Sequence, residues 1–199
     1  MLANSIMAYI ELLGLSLADY TQYIALDIVR AEAFGEVTRR GFVDGWKEAV
    51  RGTDISDHKK YVKQCVQRTS KDPAYFKQLY QRAFLAGKES QHKALGKNDA
   101  LIYWGILFDP AVHPWRSKNV NWLEAWTQFL TEKWTRTISK DLWNQTLLFA
   151  TKTMEDDTLS FWSEDQAWPS AIDDFVGWCR ETGVVPAAKT ALDGMEVDA

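Results

Sequence analysis

Residues 72–84 read DPAYFKQLYQRAF. Asp72 is a helix N-cap type, and Pro73 suits the first helical position, where a missing N–H costs nothing. Tyr75, Phe76, Leu79, Tyr80, Ala83 and Phe84 follow as one apolar stripe, the 3.6-residue period of a helix with one buried face. The same pattern extends in both directions. Ser16 and Asp19 form a capping-box-like start, with Asp in place of Glu, for a helix expected to run to about Arg30. Thr38 caps a helix bearing Phe42, Trp46, Ala49 and Val50. Ser56 caps one with Tyr61, Val62, Cys65 and Val66 inward. Asn98 opens a helix through Phe108. Asn121 opens another with Trp122, Leu123, Trp126, Phe129 and Leu130, and Ser139 one with Leu142, Trp143, Thr146, Leu147 and Ala150. Pro169 opens the last, with Ile172, Phe175, Val176 and Cys179 at i, i+3, i+4 and i+7. Residues 109–119, with Pro110 and Pro114, read as a loop, and 155–166 as an acidic connection. No run of strict alternation stands out, so the expected class is all-α, roughly eight or nine helices with short connections.

The chain has 199 residues, 46% of them hydrophobic, enough for one domain with a sizeable core. Ten tryptophans are too many to be all fully buried, so some should line a groove or interface. A formal net charge of −4 argues against a nucleic-acid partner, whose binding needs Lys and Arg to neutralise phosphates. Cys65 and Cys179 fall on apolar faces without disulfide or zinc spacing and read as buried free thiols of a reducing compartment, cytoplasm or nucleus. No stretch is long enough to span a membrane, and the N-terminal region lacks a basic leader. Residues 1–182 are expected to form the domain and 183–199 a mobile tail without a sustained apolar face.

Residues 30–41, RAEAFGEVTRRG, have the skeleton of a calcium-binding helix-loop-helix, with Gly35 at the sharp turn and Val37 at the apolar position. The ligand positions are wrong. Arg30 is first, Phe34 fifth, and Gly41 stands where a bidentate Glu is needed. The loop reads as scaffold, with a calcium-responsive regulator as the alternative. Catalytic constellations are equally missing. His58, His92 and His113 have no metal-ligand spacing and read as surface residues, and no Walker, GxSxG or GxGxxG motif occurs. Asp141, Asp173 and Asp174 lie in the first turns of helices. Adjacent helical residues diverge by about 100°, so Asp173 and Asp174 cannot serve one ligand. Complementing the helix dipole and docking a partner both remain open.

ISKDLWN at 138–144 and AWPSAIDDFV at 167–176 resemble the C-terminal part of the defective in cullin neddylation family. GFVDGW at 41–46, YFKQLYQRAF at 75–84 and ALIYWGILF at 100–108 match it in order and spacing, so the resemblance covers roughly residues 6–180. It implies a potentiating-neddylation (PONY) domain, all-helical and built partly on degenerate, non-calcium-binding EF-hand-like units. It implies a non-catalytic co-ligase scaffold that binds the C-terminal winged-helix region of a cullin and the neddylation conjugating enzyme, alongside a RING ligase subunit. Transfer of the ubiquitin-like modifier to a cullin lysine is then promoted by proximity, and the thioester belongs to the conjugating enzyme.

The family's cullin-binding Asp, Ala and Asp fall on Asp141, Ala167 and Asp173. Its pocket for the acetylated N-terminal methionine of the conjugating enzyme falls on Ile6, Ala25, Phe34, Val37, Tyr103 and Ile106. Acetylation removes an ammonium charge that would be costly to bury there. Phe34 and Val37 replace a polar and a larger aromatic residue of animal relatives, Ala86 stands where those have an aromatic, and the 109–119 loop is longer than theirs. Many members carry an N-terminal ubiquitin-associated domain, and none is visible in this sequence. No cofactor, metal, nucleic acid or membrane partner is implied.

Overall fold

The computed structural model describes residues 3–33, 35–88 and 91–185. In chain order the described residues form α1 (Ala3–Leu12), α2 (Gln22–Ile28), α3 (Arg39–Ala49), α4 (Ile55–Thr69), α5 (Pro73–Gly87), β1 (Ala94–Leu95), α6 (Lys97–Leu107), α7 (Trp122–Lys133), β2 (Ile138–Ser139), α8 (Lys140–Glu155) and α9 (Ser170–Glu181). The architecture is all-α. The two short strands pair antiparallel, Ala94 with Ser139 and Leu95 with Ile138. They tie the start of α6 to the start of α8.

The caps explain where several helices begin. Asp72 accepts from the amides of Ala74 and Tyr75 at 3.0 and 3.1 Å, Thr38 from Gly41 at 2.9 Å, and Ser139 from Leu142 at 3.0 Å. Each satisfies an amide that a helix start otherwise leaves orphaned. All six stripe residues of α5 are buried. α5 is central, packing against α2, α4, α6 and α8, while α7 joins α6 to α9.

Tyr80 on α5 organises the core. Its hydroxyl accepts from Trp104 Nε1 at 2.7 Å and donates to the Trp143 carbonyl at 2.8 Å, while Trp143 Nε1 donates to the Tyr80 carbonyl at 3.0 Å. The Tyr80 and Trp143 rings stack at 4.6 Å, Trp104 stacks on Trp143 at 5.0 Å, and Trp126 meets Phe175 edge-on at 5.0 Å. Such ring pairs each contribute about 0.5–1.5 kcal/mol beyond area burial. Eight of the ten tryptophans are buried, and Trp162 and Trp168 alone stay partly exposed.

Several boundaries differ from expectation. α1 carries no readable start, yet Ile6, Ile10 and Leu13 give it a buried stripe. It ends where Gly14 takes a φ of +81°. The Leu15 amide then reaches the Ile10 carbonyl and the Gly14 amide that of Glu11, the Schellman closure of a helix C-terminus. Ser16 and Asp19 build a turn rather than a cap, accepting from the amides of Ala18 and Thr21, so α2 starts only at Gln22. α4 starts after Asp54 instead of Ser56, and α6 after Gly96 instead of Asn98. Val185, on the expected tail, is buried and bonds to the Cys179 carbonyl. The rest of that segment lies outside the described residues.

The reading of His58 as a surface residue is corrected. Its ring stacks on Trp46 at 3.7 Å, its Nδ1 is hydrogen-bonded to the Tyr9 hydroxyl at 3.0 Å, and it is buried. His113 is half-buried, stacked on Phe76 at 3.8 Å. Only His92 is exposed. The aromatic partners come from other helices, so local polarity around His58 was a poor guide.

Candidate functional site

Two regions hold the residues singled out in the sequence. At the first, α9 presents Asp173 and Asp174 on diverging sides. Asp174 is exposed, while Asp173 is half-buried and accepts a 2.9 Å hydrogen bond from Trp162 Nε1. The Trp162 ring lies beneath the guanidinium of Arg180, 4.8 Å away. Asp173 and Arg180, two turns apart on α9, thus grip one indole. The helix beneath is anchored by Ile172, Phe175 and Val176, all fully buried. Trp168 rests edge-on against Phe149 of α8 at 5.8 Å, leaving Ala167 exposed beside it. Asp156 holds the incoming turn, its carboxylate accepting from the amides and hydroxyls of Thr158 and Ser160. The Thr158 hydroxyl bond, above all, draws its pKa down to about 2.

The two partly exposed tryptophans therefore flank Ala167 and Asp173. Ala167 is exposed two residues before Pro169, whose carbonyl accepts from the Asp173 amide at the start of α9. Asp141 is exposed in the first turn of α8, after the Ser139 cap, and among the described residues no hydrogen bond or ion pair joins it to Ala167 or Asp173. Trp162 and Arg180 were not identified from the sequence. A tryptophan inside the acidic 155–166 connection was the one available signal.

At the second region, Ile6, Ala25 and Val37 come together from α1, α2 and the 30–41 loop around an apolar cavity of about 10 Å³, room for about one water. Tyr9, Ile10, Leu26, Val29 and Phe42 complete its wall. Tyr103 and Ile106 do not line that cavity. They are half-buried on α6, where Tyr103 covers Gly87 and meets Tyr23 edge-on at 6.3 Å. The Tyr23 hydroxyl is buried without a hydrogen-bond partner. Phe34 lies outside the described residues. Ala86, close by on α5, is buried.

The 30–41 loop is closed by protein contacts. Arg30, at the first ligand position, pairs with Glu48 of α3, and Gly35 has a φ of +88°. Gly45 permits a close crossing of α3 over the end of α2, since a Cβ there would lie 1.8 Å from the Ile28 carbonyl oxygen. α5 grips the same helix through Arg82, which pairs with Asp27 at 3.0 Å and donates to the Ala31 carbonyl at 2.9 Å. Among the described residues no group of three His, Cys, Asp or Glu side chains is placed to hold a metal ion, and no helix is long and apolar enough to cross a membrane. Both cysteines are free and buried. Burial pushes the Cys179 thiol up to about 12, so it keeps its proton at neutral pH and is no nucleophile.

Comparison with known proteins converges on one set of relatives. A family model described as cullin binding matches residues 57–178, which include Asp141, Ala167 and Asp173. The chain is 39% identical over 206 residues to "Defective in cullin neddylation protein 1" of Pyricularia oryzae, covering 98% of this chain and 72% of that protein. It is 30% identical to the protein of the same name from Yarrowia lipolytica, covering 87% of this chain and 68% of that one. For the Saccharomyces cerevisiae protein of that name the figures are 31%, 86% and 64%.

Proposed function

The chain belongs to the cullin-binding, defective in cullin neddylation family, and on that footing we propose that it is a non-catalytic scaffold that promotes cullin neddylation. Its partners in this reading are a cullin C-terminal winged-helix region and the neddylation conjugating enzyme, with a RING subunit in the same assembly. Its place is the cytoplasm or nucleus. The observation that carries the proposal is the half-buried Asp173 carboxylate, held by the Trp162 indole N–H, with Ala167 exposed just before the same helix.

These residues suit a basic partner. The Asp173 carboxylate has a second oxygen free to accept from a Lys or Arg, and Trp162 supplies an aromatic surface beside it. Ala167 lets the partner's backbone approach closely. Asp141 supplies a further, exposed carboxylate in the first turn of α8, just after the Ser139 cap. Close, well-oriented charge pairs of this kind couple by about 1.5–7 kcal/mol across an interface, far above the roughly 0.3–1 kcal/mol of a helix-dipole role.

The conjugating enzyme's acetylated N-terminus is assigned to the α1–α2–α6 region. Its cavity is apolar but holds only about one water, so accepting a methionine side chain requires α1 or the 30–41 loop to move outward. The unpartnered Tyr23 hydroxyl is a donor that an acetyl or peptide carbonyl can satisfy. Holding both partners raises the effective concentration of the charged conjugating enzyme at the cullin lysine. With its buried thiols this chain supplies position rather than a covalent intermediate.

The test is a reconstituted reaction containing the modifier, its activating and conjugating enzymes, a RING subunit and a cullin C-terminal domain. Added chain should accelerate modification of the cullin lysine. No acceleration at any concentration, or transfer that continues when the conjugating enzyme's cysteine is removed, would sink the proposal.

A further inference from the structure

A cavity of about 650 Å³ lies elsewhere, between the N-terminal turns of α5, the outer face of α8 and the 109–119 loop. None of the residues assigned above to the cullin or the conjugating enzyme lines it. α8 has two apolar faces. One, with Trp143 and Phe149, is buried. The other carries Asn144, Leu147, Leu148, Thr151 and Met154 at helical spacing into the groove, and Leu148 and Met154 are 47% and 42% exposed. Phe76, Phe108 and Val112 extend the apolar floor.

The long loop is the far wall, and it is fixed in place. Trp115 is 1% exposed and donates from Nε1 to Thr153 Oγ1 of α8 at 2.9 Å, while its carbonyl accepts from the Leu123 amide at 3.1 Å. Asp109 closes the loop's first turn through the amides of Ala111, Val112 and His113. The groove is therefore pre-formed, which lowers the ordering cost of binding.

The charge at its mouth has one sign. Lys71, Lys77 and Arg116 line it and all are exposed. Among the described residues no Asp or Glu lines it, and none of the three cations is in an ion pair. This stands against a net charge of −4 for the whole chain. The N-terminal amides of α5 add little, because Asp72 already caps them. The outer face of α8 from Asn144 to Met154 spans about 15 Å at about 1.5 Å per residue, the length of two to three helical turns.

We propose that this groove docks an acidic amphipathic helix of a partner protein, with apolar side chains against Leu147, Leu148 and Met154 and carboxylates on Lys71, Lys77 and Arg116. This is the helix-in-groove mode, read by apolar anchors at i, i+3, i+4 and i+7, with the cations selecting against basic segments. The length of the 109–119 loop then has a use, as the wall that turns one face of α8 into a groove. The inference does not rest on the neddylation reading.

The experiment is selection of a displayed random 16-residue peptide library on the intact chain, with counter-selection on Leu148→Arg. Fluorescence anisotropy on the enriched peptides follows. The expected peptides interleave Glu or Asp with Leu, Phe or Met at helical spacing. Their affinity should fall at least about tenfold, as for an interface anchor, in Leu148→Arg and again in the double variant Lys77→Glu, Arg116→Glu. All three side chains are exposed, and unchanged thermal midpoints show that the variants fold. Enrichment of basic or uncharged peptides, no enrichment, or affinities indifferent to both variants overturns the proposal. So does a sedimentation dimer abolished by Leu148→Arg, which would make a second copy the occupant. Co-sedimentation with phosphatidylserine vesicles that the double variant abolishes would do the same, in favour of a membrane surface.

Discussion

Trp162 donates its indole N–H to Asp173 Oδ1 across 2.9 Å, and its ring is covered by Arg180 of the same helix as Asp173. The carboxylate is thereby oriented before any partner arrives. Little side-chain entropy then remains to be lost on binding.

For the proposed cullin-binding residues, Asp141→Ala, Ala167→Arg and Asp173→Ala should each weaken binding of a cullin C-terminal domain by about tenfold or more, in line with interfacial charge pairs of about 1.5–7 kcal/mol. Trp162→Phe keeps a ring under Arg180 but removes the donor. Its affinity should fall between wild type and Asp173→Ala at an unchanged thermal midpoint. Calorimetry measures both. Wild-type affinity in all three patch variants would reject the assignment.

The acetylated-terminus reading makes Tyr23 the residue to test. Tyr23→Phe removes an unpartnered buried hydroxyl, so the free protein should be no less stable. Binding of an acetylated N-terminal peptide of the conjugating enzyme should nevertheless weaken several-fold, and the same peptide with a free ammonium should bind worst of all. Equal binding of both peptides would contradict the pocket's chemistry.

Tyr80→Phe should be costly in stability. It strands Trp104 Nε1 in the core, at about 1–3 kcal/mol for an unsatisfied group, and takes from the Trp143 carbonyl the one partner it has outside its own helix. Urea unfolding monitored by tryptophan fluorescence will report the loss as a lower midpoint.

Gly45→Ala places a Cβ where the Ile28 carbonyl oxygen stands only 1.8 Å away. α3 must move off the end of α2, with a loss of about 1–3 kcal/mol as in other overpacked sites. Gly105→Ala, on α6 with no atom within 4 Å of the place its methyl would take, is the control and should be neutral or stabilising by about 0.4–1 kcal/mol. Thermal melts of the two variants side by side make the comparison.

Two histidines set a stability slope. Burial lowers the pKa of both His58 and His113, opposed weakly by Asp57 and by the Thr69 backbone respectively. The folded state therefore binds their protons less readily than the unfolded chain, whose histidines titrate near about 6.5. The stabilisation is complete above that value and is lost as pH falls through it toward the folded pKa. Thermal midpoints should drop between about pH 8 and about pH 5. A His58→Phe, His113→Phe double variant should show a shallower drop.

Much of the helix inventory was legible because its signals are local. Asp72-Pro73, Thr38 and Ser139 each announce a helix within three residues, and the stripes that follow name the buried face. α1 was invisible because it has no cap to read, and its identity comes from burying Ile6 and Ile10 under later helices. Ser16 and Asp19 misled because the same side chains that cap helices also close turns. At the site, helical geometry separated Asp173 from Asp174, and the family resemblance chose Asp173. Its indole partner could not be read, since residue 162 meets residue 173 only after the 155–169 segment folds back.

The sequence by itself determined an all-helical chain, its apolar faces, its buried thiols and the family to which its ordered motifs belong. These are properties of spacing and residue type, set within a few turns of backbone. Only the tertiary structure decided that His58 is a core residue, that the apolar cavity at Ile6, Ala25 and Val37 is nearly closed, and that the 109–119 loop walls a groove with a cationic mouth. Each depends on which helix face meets which. Those meetings are fixed by packing between residues far apart in the chain, as in the Tyr80–Trp143 pair and the Trp115–Thr153 bond.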